Sequence, residues 1–381
     1  MIKGLRRVSL TPRTGRGSPR HALVRLAIGV VATRIAGAMI AAVALAALAG
    51  TPAAEGAPTS ETAAGSASPG AGSILYLKGG KLWVAGTDGR AKRRVPHSGS
   101  FLSASQADNG TIVAQRGSDF HRLNRRGKLL NKPITTAFRT NPILPAFNGP
   151  FRPEVSPDGT KIAYTYSFVA SHYDPDCACE RTSPSMNTSF TYSNRFVDRP
   201  ERVFGNARFH SNASWIDNRT VLATTEHLFD YGGNVMDSVA VDTLGGGPDS
   251  YRNWFSNCVA GCDDIQTLQM YRLDEGEMTR QKDKLVFVSG ALNGPADGSR
   301  MQIHPMAGMP PAIPATFCEI SGANGRFTSP TWSPDGKSLA WADAKGIWVG
   351  RIGDTSGQTC QLTKTLVIPG GSSPDWGPAK P

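Results

Sequence analysis

Residues 152–164 read RPEVSPDGTKIAY, and residues 329–341 read SPTWSPDGKSLAW. Both stretches share one frame: a proline, any residue, an apolar residue, the tetrapeptide Ser-Pro-Asp-Gly, a short polar linker and an apolar strand. The front half of this frame returns near the C-terminus, at residues 373–378. A repeated strand–turn–strand unit that ends on a half-unit predicts a ring of β-blades in which one blade is shared by the two ends of the chain.

The tetrapeptide suits a tight turn between two antiparallel strands. In the first copy, Pro157 fixes φ near the value that a type I turn needs at its second position, and Asp158 tolerates the third. Gly159 can adopt the positive φ that returns the chain antiparallel. We therefore predict a structural role in blade turns for both copies of the tetrapeptide: Ser156, Pro157, Asp158, Gly159, Ser333, Pro334, Asp335 and Gly336.

Weaker copies of the unit allow the blades to be counted. Residues 214–224 align with 331–341, and the strands that follow the turns begin near residues 74, 112, 161, 221, 285 and 339. Their separations are near or above the roughly 40–50 residues of propeller repeats. The sequence therefore predicts an all-β, six-bladed β-propeller of four-stranded antiparallel blades over residues 73–378, in which Pro374-Asp375-Trp376 forms a C-terminal strand that closes the first blade.

The repeat resembles that of the TolB-type, WD-like six-bladed propellers, which reads P-x-W-S-P-D-G-[KT]-x-[IL]-A. The match is specific at residues 153–163 and 330–340 and partial at 213–223 and 374–378. The resemblance implies the fold and little about chemistry, because the motif residues build the blade. TolB itself has an additional N-terminal α/β domain, whereas only a linker is expected before the ring here. The role and the partner of TolB are therefore not implied.

The basic charge of the chain is concentrated at its start. The formal net charge is +11, and residues 1–50 contain eight Lys or Arg and no acidic residue. Without these eight, 33 basic and 30 acidic residues remain. The basic excess is thus typical of a targeting segment, and no nucleic-acid partner is predicted.

Residues 1–50 fit two kinds of N-terminal segment. An uncharged apolar run at 35–49 ends in Ala47-Leu48-Ala49, which suits signal-peptide cleavage. Residues 22–49 are nevertheless apolar apart from Arg25 and Arg34, so an uncleaved membrane anchor stays open. Residues 51–72 are rich in Ala, Gly, Ser and Pro and predict a flexible linker. Both alternatives predict a secreted or extracytoplasmic protein that meets the membrane only through the N-terminal segment.

The cysteines fit an oxidising compartment. We predict disulfides for all six: Cys177, Cys179, Cys258, Cys262, Cys318 and Cys360. The sequence does not choose among the possible pairings. A soft metal held near His172, Asp174 and Asp176 by the first two cysteines is the alternative, which lacks a second Cys-x-x-Cys or paired His. No metal ligand set is predicted, and no cofactor is identified.

The geometry of a propeller directs the search for function to two places. Long connections, at about 139–150, 168–190, 226–235, 256–266 and 290–299, are expected on the face opposite the Ser-Pro-Asp-Gly turns, as a recognition surface or as merely tolerated insertions. The second place is the central channel, where polar residues just ahead of the turns are candidate lining residues: Arg152, Glu154, His210, Asn212, Thr328 and Asp375.

Enzymatic motifs are missing from the sequence. It contains no G-x-S-x-G, H-E-x-x-H or G-x-x-x-x-G-K-[ST] stretch, and no catalytic residue is assigned. We predict a secreted or surface-tethered, non-catalytic propeller that acts as a scaffold and binds a protein or cell-envelope partner through its loop-rich face. The alternative is a propeller enzyme that acts on glycans or lactones with channel carboxylates, for which Glu154 and Asp375 are the pair to test.

Overall fold

The computed structural model describes residues 71–135, 148–174, 177–195, 201–202, 210–228, 235–244, 252–256, 271–291, 299–306, 308, 317–322 and 325–381. The predicted N-terminal segment and nearly all of the predicted linker lie outside these residues, as do Cys258 and Cys262. All described residues belong to one compact unit, residues 63–381. In the part of the chain that is described, no helix has the length and apolar character needed to cross a membrane.

The described strands form six antiparallel sheets of four strands each, and each sheet is one blade. From the channel outward, the first blade contains β24 (Ser372–Gly377), β1 (Ser73–Lys78), β2 (Lys81–Ala85) and β3 (Arg93–Arg94). The second contains β4 (Ser103–Gln106), β5 (Ile112–Arg116), β6 (Asp119–Leu123) and β7 (Ile134–Thr135). The third contains β8 (Asn148–Val155), β9 (Lys161–Asp174), β10 (Cys179–Tyr192) and β11 (Glu201–Arg202).

The remaining three blades follow the same order. The fourth contains β12 (His210–Trp215), β13 (Thr220–Leu228), β14 (Val235–Thr243) and β15 (Arg252–Ser256). The fifth contains β16 (Tyr271–Met278), β17 (Lys284–Ala291), β18 (Arg300–Pro305) and β19 (Cys318–Ile320). The sixth contains β20 (Thr328–Trp332), β21 (Ser338–Asp343), β22 (Gly346–Ile352) and β23 (Leu362–Pro369).

The C-terminal strand closes the ring. β24 pairs antiparallel with β1, so that Leu75 lies opposite Asp375 and Ile74 lies opposite Trp376. β24 also contacts β20 of the sixth blade and β4 of the second. The predicted all-β, six-bladed propeller and its closure by the C-terminal strand are therefore confirmed.

The Ser-Pro-Asp-Gly segments form the turns between the first and second strands of the third and sixth blades. In both turns the serine hydroxyl donates to the aspartate two residues later over 2.6 Å. The glycines adopt positive φ, 76° at Gly159 and 66° at Gly336. Partial burial by itself raises the pKa of Asp158, but hydrogen bonds from Ser156 and Thr160 outweigh it and lower the pKa to about 2.

The hydrophobic core is divided among the junctions between blades. Six clusters of buried apolar side chains are found in the described residues, one at each pair of neighbouring blades. Between the fifth and sixth blades, Trp332 and Trp341 pack with Val286 and Ile303. At the same junction a disulfide joins Cys318 to Cys360, 42 residues apart in sequence. Burial of apolar faces between blades therefore stabilises the ring.

One predicted loop is a pair of strands. Residues 168–190 were expected to be a long connection, but most of them continue β9 and β10 as a single antiparallel hairpin. The hairpin ends beside a disulfide between Cys177 and Cys179. These two cysteines are bonded to each other, which removes the thiolates that the soft-metal alternative needs. The other predicted long connections lie mostly outside the described residues.

Candidate functional site: the central channel

A repeated bulge bends the innermost strands as they enter the channel. In five blades, one non-glycine residue of the innermost strand has a positive φ, between 47° and 51°. These residues are Arg152, Asn212, Glu275, Ser329 and Ser373. In each case the pairing with the second strand shifts its register next to that residue. Such φ values are uncommon for non-glycine residues and persist where the surrounding structure imposes them. β4 of the second blade has no shift.

Two residues after each bulge, and at the matching place of β4, one side chain per blade forms a ring around the channel. These six residues occupy one register position, because each lies opposite the same position of the second strand in its blade. In blade order the channel ring is Asp375, Ser105, Glu154, Ser214, Glu277 and Thr331. Carboxylates and hydroxyls therefore alternate around the channel, with the carboxylates in the first, third and fifth blades.

The channel ring ties neighbouring blades together. The backbone N–H of Gln106 donates to Asp375 over 2.7 Å, and that of Trp332 donates to Glu277 over 3.0 Å. The hydroxyls have the same role, because Ser105 Oγ accepts the N–H of Val155 over 2.8 Å. Thr331 Oγ1 likewise accepts the N–H of Trp376 over 3.1 Å. Each of these bonds runs from one blade to the next and satisfies a backbone donor that would otherwise be buried without a partner.

Burial shifts the pKa of all three ring carboxylates upward, toward the neutral form. Burial raises the pKa of Glu277 to about 8, against the opposing effect of the Trp332 N–H. Burial also raises the pKa of Asp375 to about 6, although the Gln106 N–H lowers it. The pKa of Glu154 lies well above its usual range, because burial is reinforced by the charges of Asp375 and Glu277. The ring is therefore a set of interacting acids rather than three independent charges.

The channel ring separates two cavities. The loop-side cavity, of about 290 Å³, extends from the ring to the ends of the innermost strands that are opposite the turns. The turn-side cavity, of about 260 Å³, extends to the Ser-Pro-Asp-Gly turns and their equivalents. Both are lined by Glu154, Ser214, Glu277 and Asp375, so the same carboxylates are reached from either face.

The mouth of the loop-side cavity is held by ion pairs. Arg152 donates to Glu275 over 2.8 Å and to Asn212 over 2.7 Å. Next to them, the buried carboxylate of Asp274 accepts from Arg326 over 2.6 Å. Burial raises the pKa of Glu275, and the nearby Arg152 works against that shift. The mouth is thus a polar network that joins the third, fourth and fifth blades.

The turn-side cavity is crossed by a pair of opposite charges. Arg280, in the turn of the fifth blade, forms an ion pair with Asp108, in the turn of the second blade, which is the opposite position in a ring of six. Lys282 pairs with Asp217 over 3.0 Å. Arg125 donates to the side chains of Gln106 and Ser73. Three cationic side chains therefore lie on the turn side of the ring carboxylates, and two of them are paired with aspartates.

Five of the six candidate lining residues from the sequence line the loop-side cavity: Arg152, Glu154, Asn212, Thr328 and Asp375. The sixth, His210, lies in β12, and its side chain is outside what the structure describes. In the sixth blade Thr331, rather than Thr328, occupies the channel ring. Glu277 and Arg280 were not predicted from the sequence, because the turn of the fifth blade has neither proline nor glycine. Counting backward from the strand at Leu285 would have found Glu277.

No three His, Cys, Asp or Glu residues within the described ranges come together in a way that could hold a metal ion. The channel ring itself consists of carboxylic acids and hydroxyls. These groups can accept hydrogen bonds, and the acids can hold protons or, once ionised, attract positive charge from either cavity.

No protein-family profile and no curated protein matches the chain. Among solved structures, it is similar to TolB from Acinetobacter baumannii, with 16% identity and a TM-score of 0.48 over 80% of this chain and 66% of that one. A putative TolB from Agrobacterium tumefaciens gives 12% identity and a TM-score of 0.43, over 80% of this chain and 93% of that one. The chain spans slightly less than two thirds of the Acinetobacter protein.

The six sheets of this chain form a six-bladed β-propeller. The propeller domain of Cps50 (Swd1) from Myceliophteria thermophila is similar too, with 11% identity and a TM-score of 0.42 over 81% of this chain and 91% of that one. At such identities the likeness to TolB-type propellers concerns the fold, which the six sheets of this chain show directly.

Proposed function

We propose that the protein is a secreted or surface-tethered, non-catalytic scaffold that binds a protein or cell-envelope partner through the face opposite the Ser-Pro-Asp-Gly turns. We call this the loop face. The observation that carries the proposal is the hairpin of β9 and β10, which extends beyond the rest of its blade on that face. A rigid scaffold that presents one elaborated face is the usual arrangement for recognition.

The extension is a structural arm with its own strand pairing. The innermost strand β8 reaches only to Ser167 of β9. Beyond that residue, seven further pairs continue from Phe168–Ser185 to Asp174–Cys179. Seven residues of antiparallel strand correspond to about 24 Å at the usual rise per residue. We call residues 168–185 the arm; the Cys177–Cys179 disulfide lies at its tip.

Exposed apolar side chains lie on the same face. Leu102 is 66% exposed and lines the loop-side cavity, while Phe151 of the neighbouring blade is 38% exposed. Both precede the bulge or its equivalent, at the loop-face ends of β4 and β8. Exposed large apolar residues near a polar rim are characteristic of surfaces that contact other proteins. They support a protein partner over a soluble ion or small metabolite.

Location outside the cytoplasm is supported by the disulfides and the leader. Cys318–Cys360 and Cys177–Cys179 are both bonded, which is typical of an oxidising compartment. The basic and apolar residues 1–50 fit export, with cleavage or anchoring as the two outcomes. Contact with the membrane is proposed only through that segment.

Removal of the arm tests the proposal. In the tagged full-length chain, residues 169–184 are deleted and 168 is joined to 185 through an Asn-Gly turn. Proteins crosslinked to the wild-type chain in the source cells are identified, and the strongest partner is purified for titration. We expect at least a tenfold loss of affinity for the arm deletion, with unchanged thermal unfolding. Lys345→Ala in the short β21–β22 turn of the same face, and Lys337→Ala on the turn face, are matched controls that should bind normally.

Equal affinity of the deletion variant and the wild type would contradict a role of the arm. If the partner instead responds to Lys337→Ala, the turn face is the binding surface. A chain that captures no specific partner, while turning over a substrate, would contradict the scaffold itself.

A second candidate, an enzyme acting on glycans or lactones, is favoured by the acids of the loop-side cavity. Burial raises the pKa of Glu154 well above its usual range, which suits a general acid, and Asp375 lies in the same cavity. The test is turnover of a panel of glycans and lactones by the wild type, Glu154→Gln and Asp375→Asn. Loss of turnover by at least a hundredfold in both variants would support the enzyme. No turnover by the wild type would exclude it for that panel.

A further inference from the structure

The closing strand carries one of the three ring carboxylates. β24 is joined to the first blade by its pairing with β1, and no covalent bond in the described structure links the two strands. Asp375 of β24 reaches across to the second blade, where it accepts the N–H of Gln106 over 2.7 Å. The closure of the propeller and the charge of the channel ring are thus connected through a single side chain.

The ring carboxylates face one another around the same channel. Asp375 and Glu277 both act on Glu154, and Asp375 also acts on Glu277, so ionisation of one acid opposes ionisation of the others. Two of the acids must also accept backbone N–H groups, which a neutral carboxyl can still do through its carbonyl oxygen. Protonation therefore removes the repulsion without removing the bonds between blades.

We propose that the three ring carboxylates, Glu154, Glu277 and Asp375, act as a pH-dependent latch on β24, which holds the propeller closed as long as the ring is not fully ionised. As the ring ionises, negative charge accumulates around one channel. Of the three strands that carry these carboxylates, β24 is the one whose partner strand comes from the other end of the propeller. Loss of the latch then begins with separation of β24 from β1.

Charged groups on the packed elements modify the latch without cancelling it. Arg280 and Arg125, from the fifth and second blades, lower the pKa of Asp375, but they are engaged with Asp108, Gln106 and Ser73. On the loop side, Arg152 and Arg326 are paired with Glu275 and Asp274. The fourth and sixth blades contribute the hydroxyls of Ser214 and Thr331 to the ring. The titratable and charged groups around the ring are therefore Asp108, Arg125, Arg152, Asp217, Asp274, Glu275, Arg280, Lys282 and Arg326.

The direction of the pH dependence follows from the raised pKa values. Glu277 titrates near 4.5 when unfolded and near 8 when folded, and Asp375 titrates near 3.8 and near 6. Between these limits the folded protein holds more protons than the unfolded chain, so stability falls as the pH rises. Each retained proton changes the unfolding equilibrium constant about tenfold per pH unit across its window.

The experiment is thermal unfolding of the full chain from pH 5 to pH 9, together with hydrogen exchange of peptides covering 73–78 and 372–377. For the wild type we expect the Tm to fall steadily over this range and exchange in both peptides to accelerate first. Glu277→Gln keeps the acceptor for the Trp332 N–H but cannot ionise, so its Tm should fall less and exceed that of the wild type at pH 9. Glu154→Gln should behave similarly.

Glu319→Gln is the matched control, because it makes the same chemical change at an outer strand, where Glu319 pairs with Arg300 over 2.7 Å. It should leave the pH slope unchanged. A wild-type Tm that is flat from pH 5 to pH 9, or a Glu277→Gln slope equal to that of the wild type, would overturn the latch.

Infrared spectra of the wild type keep the proposal falsifiable even if a variant fails to fold. A band from protonated carboxylic acid should persist at pH 7 and disappear toward pH 9, and its absence at pH 7 would overturn the proposal. So would stability at pH 9 that depends on added Ca²⁺ or K⁺ and is lost on dialysis, because the ring would then hold a cation in place of protons.

Discussion

The third and sixth blades begin from the same Ser-Pro-Asp-Gly turn and differ everywhere else that concerns function. Their turns use the same hydroxyl-to-carboxylate bond of 2.6 Å. At the loop face, however, β21 returns into β22 through only two residues, whereas β9 continues into the arm. At the channel ring the third blade has Glu154 and the sixth has Thr331. The turn that the two blades share is therefore a structural feature of a blade. The positions at which they differ, in the channel ring and on the loop face, are the ones that concern function.

The junctions of the two blades also differ in how much they bury. Replacing Trp332, which is buried between the fifth and sixth blades and donates its indole N–H to the Glu277 carbonyl over 3.1 Å, should have the largest effect on stability. We expect Trp332→Ala to lower the free energy of unfolding by about 3–5 kcal/mol. Val155→Ala, at the equivalent position of the third blade, should cost clearly less because fewer atoms are lost. Urea unfolding measures both, and equal losses would mean that the junctions are equivalent.

The glycines test whether the two turns are as similar as they look. Gly159→Ala and Gly336→Ala place a side chain on positive φ, which should cost about 1–2 kcal/mol in each case. At Gly336 the added carbon would meet Gln281 Oε1 at 2.7 Å, the far end of a flexible side chain, so a small further loss is expected there. The urea unfolding midpoints of the two variants measure these losses of stability side by side. Losses that differ by more than about 1–2 kcal/mol would mean that the two turns are not equivalent.

The smallest expected effect concerns the serine hydroxyls. Ser156→Ala and Ser333→Ala each remove a bond to the aspartate and the bond from the backbone N–H at the start of the next strand. A loss of about 1 kcal/mol is expected for each at neutral pH. The hydrogen bonds that hold the pKa of Asp158 down contribute stability above pH 3.8 that disappears toward pH 2. The effect of Ser156→Ala should therefore shrink as the pH falls through this window, and an effect that grows would contradict the assigned bond.

Sequence alone predicts the parts of this fold that depend on local chemistry. The proline and glycine of the Ser-Pro-Asp-Gly turn, Pro157 and Gly159 in the first copy, favour a turn by their own backbone preferences. The repeat that contains them therefore allows the blades to be counted and the closing strand to be identified. The bulges at Arg152 and Glu275 could not be predicted, because nothing in these residue types favours positive φ. The alternation of carboxylates and hydroxyls emerges only when residues as distant as Ser105 and Asp375 are brought around one channel. The arm was missed as strand because its length exceeds that of a blade.

Both ends of the propeller meet in the first blade, and this affects the order in which its strands could be connected along the chain. Ser73 Oγ donates to the Ala379 carbonyl over 2.6 Å, so the beginning and the end of the ring are already neighbours. A short linker between them would make the ring covalently continuous, and new ends could then be opened at the two-residue turn between β21 and β22. The propeller is thus a natural candidate for circular permutation, in which β22 would become the first strand of the chain.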